Sequence, residues 1–270
     1  MSKPYVIDFK TNQFDINNVV IGDVQKSDGK MSVRVGYKNP TNGVLEKITV
    51  RTPDMRAPFG FSEFKFKDKK TGQDIVSYSL NLSFDDYEDH SSSQYKFYRM
   101  MLDIDNLIKE KAVANFVAWL PGKEQKVKSE KITDENTKIQ TRRISVDGAY
   151  SSHVKDGFNQ KTGKTYSPTL NLKLQPDKNG EFSVGCYDSA RNKFNIREIA
   201  QNSLVRAIIS SGSVYFLEGF GLSWYYENMA VSPKVSVGSD MLFDNEPSTT
   251  TPSSSTGNAN NVNAVDDRTD

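Results

Sequence analysis

Two short stretches constrain the fold more than any other part of the chain: IVSYSLNLSF (75–84) and TLNLKL (169–174). In the first, Val76, Tyr78, Leu80, Leu82 and Phe84 alternate with Ser77, Ser79, Asn81 and Ser83. In the second, Leu170, Leu172 and Leu174 alternate with Asn171 and Lys173. A period of two sends successive side chains to opposite faces, so each stretch is a strand with one buried and one wet face. MSVRVGYK repeats the pattern with Met31, Val33, Val35 and Tyr37 against Arg34 and Lys38. VLEKITVR does so with Ile48 and Val50 against Lys47, Thr49 and Arg51. The wet faces are polar or basic and seldom acidic. Turn residues punctuate the runs at DGK (28–30), NPTNG (39–43), KTG (70–72), KTG (161–163) and DKNG (177–180). KTG and LNL recur together, one residue out of step, as two hairpins of similar design do.

One segment breaks this rhythm. SSSQYKFYRMMLDIDNLIKEKAVANFVAWLPG opens on serines, ends on Pro121-Gly122, and sets Phe97, Met101, Ile104 and Ile108 at helical spacing. One long helix is therefore expected at about 91–120, with a shorter one near 195–203 and an exposed charged connection at KEQKVKSEKITDENTK between them. The fold class that follows is mainly β.

Charge is informative only once it is divided along the chain. The 35 Lys+Arg and 34 Asp+Glu nearly cancel, but six acids and one base fall from Asp240 onward. Residues 1–239 thus hold 34 cations against 28 anions, or +6. The stretch PSTTTPSSSTGNANNVNAV has no charge and no aromatic residue, so it buries too little to offset the entropy of ordering. The expected organisation is a β-rich body at 1–243 and a disordered linker with an acidic tip, VDDRTD, at 244–270. The opening MSKPYVIDFK has no apolar signal core, no apolar run approaches the length of a membrane span, and Cys186 has no second cysteine to pair with. These features predict an intracellular, non-secreted protein without a membrane partner.

Sites for chemistry are hard to find. His90 and His153 stand without metal-ligand spacing. FDDYED lacks the glycine and terminal Glu of a calcium loop, and its carboxylates suit the start of the following helix instead. Gly163-Lys164-Thr165 lacks a glycine where a phosphate-binding loop needs one, because Phe158 stands there, so a hairpin turn is expected. Cys186, on an apolar face with Phe182 and Val184, reads as a small core residue. The chain is expected to be no enzyme and to use no metal and no cofactor.

Aromatic and basic residues say more. In VYFLEGFGLSWYYE, strand alternation sends Trp224 and Tyr226 inward and leaves Tyr215 and Tyr225 outward, with Gly219 and Gly221 clearing space beside the rings. In RTPDMRAPFGFSEFKFKDKK, a strand at FSEFKFK with Phe64 and Phe66 buried presents Phe61, Lys65 and Lys67 together, near Arg51, Arg56 and Phe59. Cations that follow phosphates and rings that stack on bases suit single-stranded nucleic acid. The same aromatics also suit a protein interface.

At APFGFSEFKF, YSLNLSF and VYFLEGFGLSWYYENMAV, over about 45–235, the chain resembles the single-stranded-DNA-binding proteins of large nucleocytoplasmic DNA viruses. That group is similar to the phage-type OB-fold proteins of this function. The resemblance implies an OB-fold-like β-barrel with insertions and a helix, DNA crossing one face, and a role in viral DNA replication and recombination. It also implies an acidic tail, here Asp266, Asp267 and Asp270, that competes with DNA and recruits replication proteins, and a location in the host's cytoplasmic viral factory or nucleus. Phage members end their tails on an aromatic residue, whereas this chain ends on Asp270. The DNA-contacting residues are then Lys47, Arg51, Arg56, Lys65 and Lys67 for backbone, and Phe61, Tyr215 and Tyr225 for bases. The alternative is a viral structural or scaffold protein whose β-rich body assembles with other subunits, which leaves a homo-oligomer open.

Overall fold

The computed structural model describes residues 4–11, 14–67, 72–121 and 134–232. The chain divides into Met1–Lys234 and Val235–Asp270. The expected body boundary at 243, the linker and the acidic tip with Asp266, Asp267 and Asp270 all lie outside the described residues.

The body is mainly β, as the alternation requires. Its first strands are β1 (Ile7–Asp8), β2 (Val19–Ser27), β3 (Lys30–Lys38), β4 (Leu45–Glu46), β5 (Thr49–Arg51) and β6 (Met55–Ala57). Then come β7 (Phe61–Lys67), β8 (Asp74–Ser83), β9 (Val154–Lys155), β10 (Phe158–Asn159), β11 (Lys164–Thr165) and β12 (Thr169–Leu174). The last are β13 (Gly185–Asp188), β14 (Ser203–Phe216) and β15 (Phe220–Ser232). Among the described residues, thirteen strands form one sheet that curls into a half-barrel, while β10 and β11 pair only with each other.

β14 is the spine of the sheet. Along one edge it pairs with β15; along the other it meets β6 at 203–205, β5 at 208–210 and β3 at 213–215. Three strands thus share one edge of β14 in turn, while its pairing with β15 on the other edge shifts register at Ile208/Ile209 and Ser211/Val214. Such bulges add local twist and bend a sheet. Tyr226, buried on β15, donates its hydroxyl to the carbonyl of Leu80 on β8 at 2.9 Å, which ties the two flanks of the curl from inside. The repeated LNL runs are neighbours: Leu80, Asn81 and Leu82 pair antiparallel with Leu172, Asn171 and Leu170. Their leucines are fully buried.

α1 (Ser93–Ala114) packs its apolar stripe into the same core, Phe97 against Phe84 of the segment after β8. Ser92 caps it by accepting from the Tyr95 amide at 2.9 Å, and Phe97, Met101, Ile104 and Ile108 form its buried stripe. The helix expected to run on to 120 breaks at Asn115, and α2 (Phe116–Trp119) follows. The break turns Trp119 edge-on against Phe216 and Phe220 at the β14–β15 turn. Two further expectations change. The charged connection ends in a helix, α3 (Glu135–Ala149), capped by Asp134; its polarity had concealed a sparse apolar face with Val146 and Ala149 buried. The short helix near 195–203 is one turn of 3-10 helix, Ile196–Glu198.

Gly219, just before β15, and Gly221, within it, serve the fold. The chain after α3 crosses them, and the Ser151 amide donates to the Phe220 carbonyl at 2.8 Å. A Cβ at 219 would lie 2.3 Å from the Ala149 carbonyl oxygen, and one at 221 would lie 2.5 Å from that of Ser151. The space expected for a base is filled by the protein's own backbone. Asp105 of α1 anchors this crossing, accepting from the Tyr150 and Ser152 hydroxyls at 2.5 Å each. Burial raises the Asp105 carboxyl pKa, although both bonds pull it back.

Candidate nucleic-acid interface

Residues directly opposite on paired strands share a face, so the register maps the outer surface of the sheet. Lys155, Thr169, Ser83, Arg56, Leu204 and Ser232 form one row across β9, β12, β8, β6, β14 and β15. Their neighbours Leu82, Leu170, Ala57, Met55 and Val205 are all fully buried on the other side. β8 and β14 are both antiparallel to β6, so they run the same way. Two wings therefore leave the row in opposite directions, and six residues of strand carry each about 20 Å.

The first wing carries Asn81, Ser79 and Ser77 of β8, flanked by Lys173 of β12 and by Phe64 and Phe66 of β7. Phe64 stands opposite Ser77, and Phe66 opposite Ile75. The strand FSEFKFK was expected to bury these two rings. The structure corrects this: Phe64 is 67% exposed and Phe66 43%, with centroids 6.1 Å apart. Phe61, Lys65 and Lys67 do share a face, but it is the one opposite Leu80, Tyr78 and Val76, which becomes core at its base. Phe61 is half-buried there, stacked on Tyr78, edge-on to Phe182 and covered by the Arg197 guanidinium at 5.7 Å. Lys65 pairs with Glu63 at 3.1 Å, and Lys67 is exposed. Alternation cannot choose between two aromatic parities in one strand; pairing with the serine face of β8 does.

The second wing carries Arg206, Arg51 and Tyr225. Arg51 lies opposite Ile208 and binds Asp8 at 2.8 Å, while Arg206 binds Asp54. Lys47 is exposed, just before β5. Trp224 and Tyr226 point inward and Tyr225 outward, as alternation predicts; Tyr225 is 45% exposed. Tyr215 shares the outer face but is half-buried, with its hydroxyl over Gly221 beside the Ser151 crossing.

Arg56 occupies the centre, and its fork is engaged. Nε and Nη2 donate to the two oxygens of Asp85 at 2.8 and 2.6 Å, and Nη1 donates to Asn202 at 3.1 Å. Burial pushes the Asp85 carboxyl up, but the bonds from Arg56 and Ser83 outweigh it and leave the pKa below the usual value. Lys155 and Lys173 are exposed on the same face and make no salt bridge among the described residues. Elsewhere, the expected hairpin at Gly163 is the β10–β11 turn, with φ +65° at that glycine. Cys186 is buried, and burial pushes its thiol up to about 11. Among the described residues no three His, Cys, Asp or Glu side chains cluster to hold a metal ion. No described helix is long and apolar enough to cross a membrane.

No family model and no curated protein matches the chain. Among solved structures it is similar to gp2.5, a single-stranded DNA binding protein encoded by bacteriophage T7. The identity is 15% over 77% of this chain and 100% of that one, with a TM-score of 0.36. It is also similar to the single-stranded DNA-binding protein from bacteriophage Enc34, solved in complex with ssDNA, at 13% identity over 79% and 95% of the two chains and a TM-score of 0.37. At scores this low neither fold nor function carries over from them.

Proposed function

We propose that this chain is a non-catalytic protein that binds single-stranded DNA without strong sequence preference through the outer face of its sheet. The observation that carries the reading is the exposure of Phe64, Phe66 and Tyr225 on a face whose other residues are largely serine, threonine, asparagine and cations, with Leu204 and Ile75 among them. Bare rings on a wet face stack on any base, because every base has a π-face, and the small polar residues between them leave room for a backbone. Lys155 and Lys173 meet phosphates there, with Lys47 at the margin, whereas Lys65 and Lys67 lie on the other face of β7 and follow the backbone only where it rounds that edge. Arg51 and Arg56 hold carboxylates of their own chain and position the surface.

The biological role proposed is that of the large nucleocytoplasmic DNA virus group the sequence resembles. The protein works in viral DNA replication and recombination, in the host's viral factory or nucleus, with its acidic tail covering the DNA face and engaging replication proteins. Labelled oligo(dT) at low salt tests the core of this reading: binding is expected, weakening as salt rises. Each lysine that meets a phosphate contributes about 0.7 to the slope of log K against log salt. Deleting 244–270 is expected to tighten binding. No shift at low salt with either chain ends the DNA reading.

The apolar strip of Phe64, Phe66 and Ile75 beside the edge of β7 that pairs with no strand among the described residues also fits a subunit interface, the surface a scaffold protein needs. Sedimentation of a Phe64→Ala/Phe66→Ala protein separates the two. Loss of an oligomer with unchanged DNA affinity favours assembly.

A further inference from the structure

Where the central row meets the β10–β11 hairpin, the outer face deepens into a groove of about 1190 Å³. Ser83, Thr169 and Arg56 form part of its lining and belong to the proposed DNA face, so the groove continues that face. Three aromatic side chains stand exposed around it: Phe59, Phe158 and Tyr166. Three solvent-exposed rings in one concavity are costly to leave bare unless they have a ligand.

The rings are held in place from two sides. Gly157 lets the two legs of the hairpin close, since a Cβ there would lie 1.8 Å from the Tyr166 carbonyl oxygen; the Tyr166 amide in turn donates to the Gly157 carbonyl at 3.0 Å. Phe158 pairs with Thr165, so its ring and that of Tyr166 leave the hairpin on opposite faces, and both residues line the groove. On the opposite wall, Asn202 sits in the left-handed region at φ +65°, pinned by its amide on the Ala57 carbonyl at 2.7 Å and by Arg56 on its side-chain oxygen. Asn202, held by Arg56 that Asp85 fixes, lines the groove with its side-chain amide, and Gln160 lines it with a second. Amides offer both donors and acceptors, which every base edge requires. A two-stranded hairpin is marginal by itself, so this wall is the one that yields to admit a ligand.

We infer that the groove between Phe59, Phe158 and Tyr166 is a subsite for an unstacked nucleobase of the single strand, with the β10–β11 hairpin as its movable wall. The inference rests on the DNA-binding reading and assigns to it a place where a base leaves the stack and is held against an exposed ring. Phe158 and Tyr166 are the stacking residues; Asn202 and Gln160 satisfy the base edge.

The test is ultraviolet crosslinking of full-length protein to oligo(dT) carrying 5-bromouracil, with the crosslinked peptide mapped. It is run beside titrations of Phe158→Ala/Tyr166→Ala and of Phe64→Ala/Phe66→Ala. Crosslinks in the 156–167 segment, with at least about a fivefold loss of affinity in the groove variant, are expected. Tyr166→Phe should restore most of that affinity. Crosslinks confined to the Phe64–Phe66 hairpin or to Tyr225, with the groove variant binding as tightly as the parent, overturn the subsite and leave the DNA-binding reading standing. A change of oligomeric state in the groove variant without loss of DNA affinity assigns the rings to a protein contact and also overturns it. Failure of the unmodified protein to bind any oligonucleotide removes both. Both variants change exposed side chains, so thermal unfolding serves as a control that the fold is intact.

Discussion

The ring of Tyr225 on β15 lies across Gly212 on β14: a Cβ at 212 would sit 2.7 Å from Cε2 of the ring. Gly212 falls in the bulge between Ser211 and Val214, so the irregularity that bends the spine also provides the bare spot on which the ring rests. Tyr215 repeats the arrangement in reverse, crossing its partner Gly221. Gly212 thereby makes room for the Tyr225 ring on the outer face. Tyr225→Ala is expected to weaken oligo(dT) binding by about 1–3 kcal/mol, the usual range for a stacked base. Gly212→Ala lifts the ring and should lower affinity in the same direction while Tyr225 is still present. Fluorescence titration reads both, and a Gly212→Ala protein that binds as the parent does contradicts the seating.

Phe64 and Phe66 make a sharper case, because their exposure leaves little folding energy at stake. Replacing both with alanine is expected to change unfolding stability by no more than about 0.5 kcal/mol, as for surface positions generally. DNA affinity should fall by about 1–3 kcal/mol for each ring that stacks. Urea unfolding and an oligo(dT) titration of the same sample compare the two numbers directly. A large loss of stability would mean that the hairpin packs against something.

The Arg56–Asp85 pair predicts a pH dependence. The Asp85 carboxyl has a lower pKa in the fold than in the unfolded chain, so it favours the folded state at pH values above the ordinary carboxylate value of about 3.9. That contribution is lost as pH falls through and below that value. Asp85→Asn should therefore show a shallower decline in urea midpoint below about pH 4 than the parent. Arg56→Ala should cost about 1 kcal/mol at neutral pH, because the pair is bidentate but partly exposed.

Cys186 offers a simple probe of the closed fold. With its thiol pushed up to about 11 and its side chain buried, it should stay unreactive toward a thiol reagent at pH 8 in the native protein. In denaturant it should react at once. Rapid native labelling would show that the β13 region opens readily.

Much of this was legible in the residues alone. Where one parity of a strand is uniformly apolar, as with Leu80 and Leu82, Leu170 and Leu172, or Trp224 and Tyr226, the hydrophobic effect leaves one orientation, and alternation reads it correctly. The Ser92 cap and the apolar stripe of α1 are equally local. The strand FSEFKFK has rings on both parities, so either face can be buried. Its orientation was decided by pairing with β8, which set Phe61 against Leu80 and Phe64 against Ser77 in a register no local rule dictates. Gly219 and Gly221 carry the same lesson. Their lack of a side chain is visible in the sequence, but what fills the gap is a backbone segment some 70 residues upstream. The groove joins Phe59, Phe158 and Tyr166 from two distant stretches. Local chemistry determines which strands form and which side of most of them is dry. Only the tertiary register decides which wet faces merge into one surface, because that depends on contacts between residues far apart in the chain.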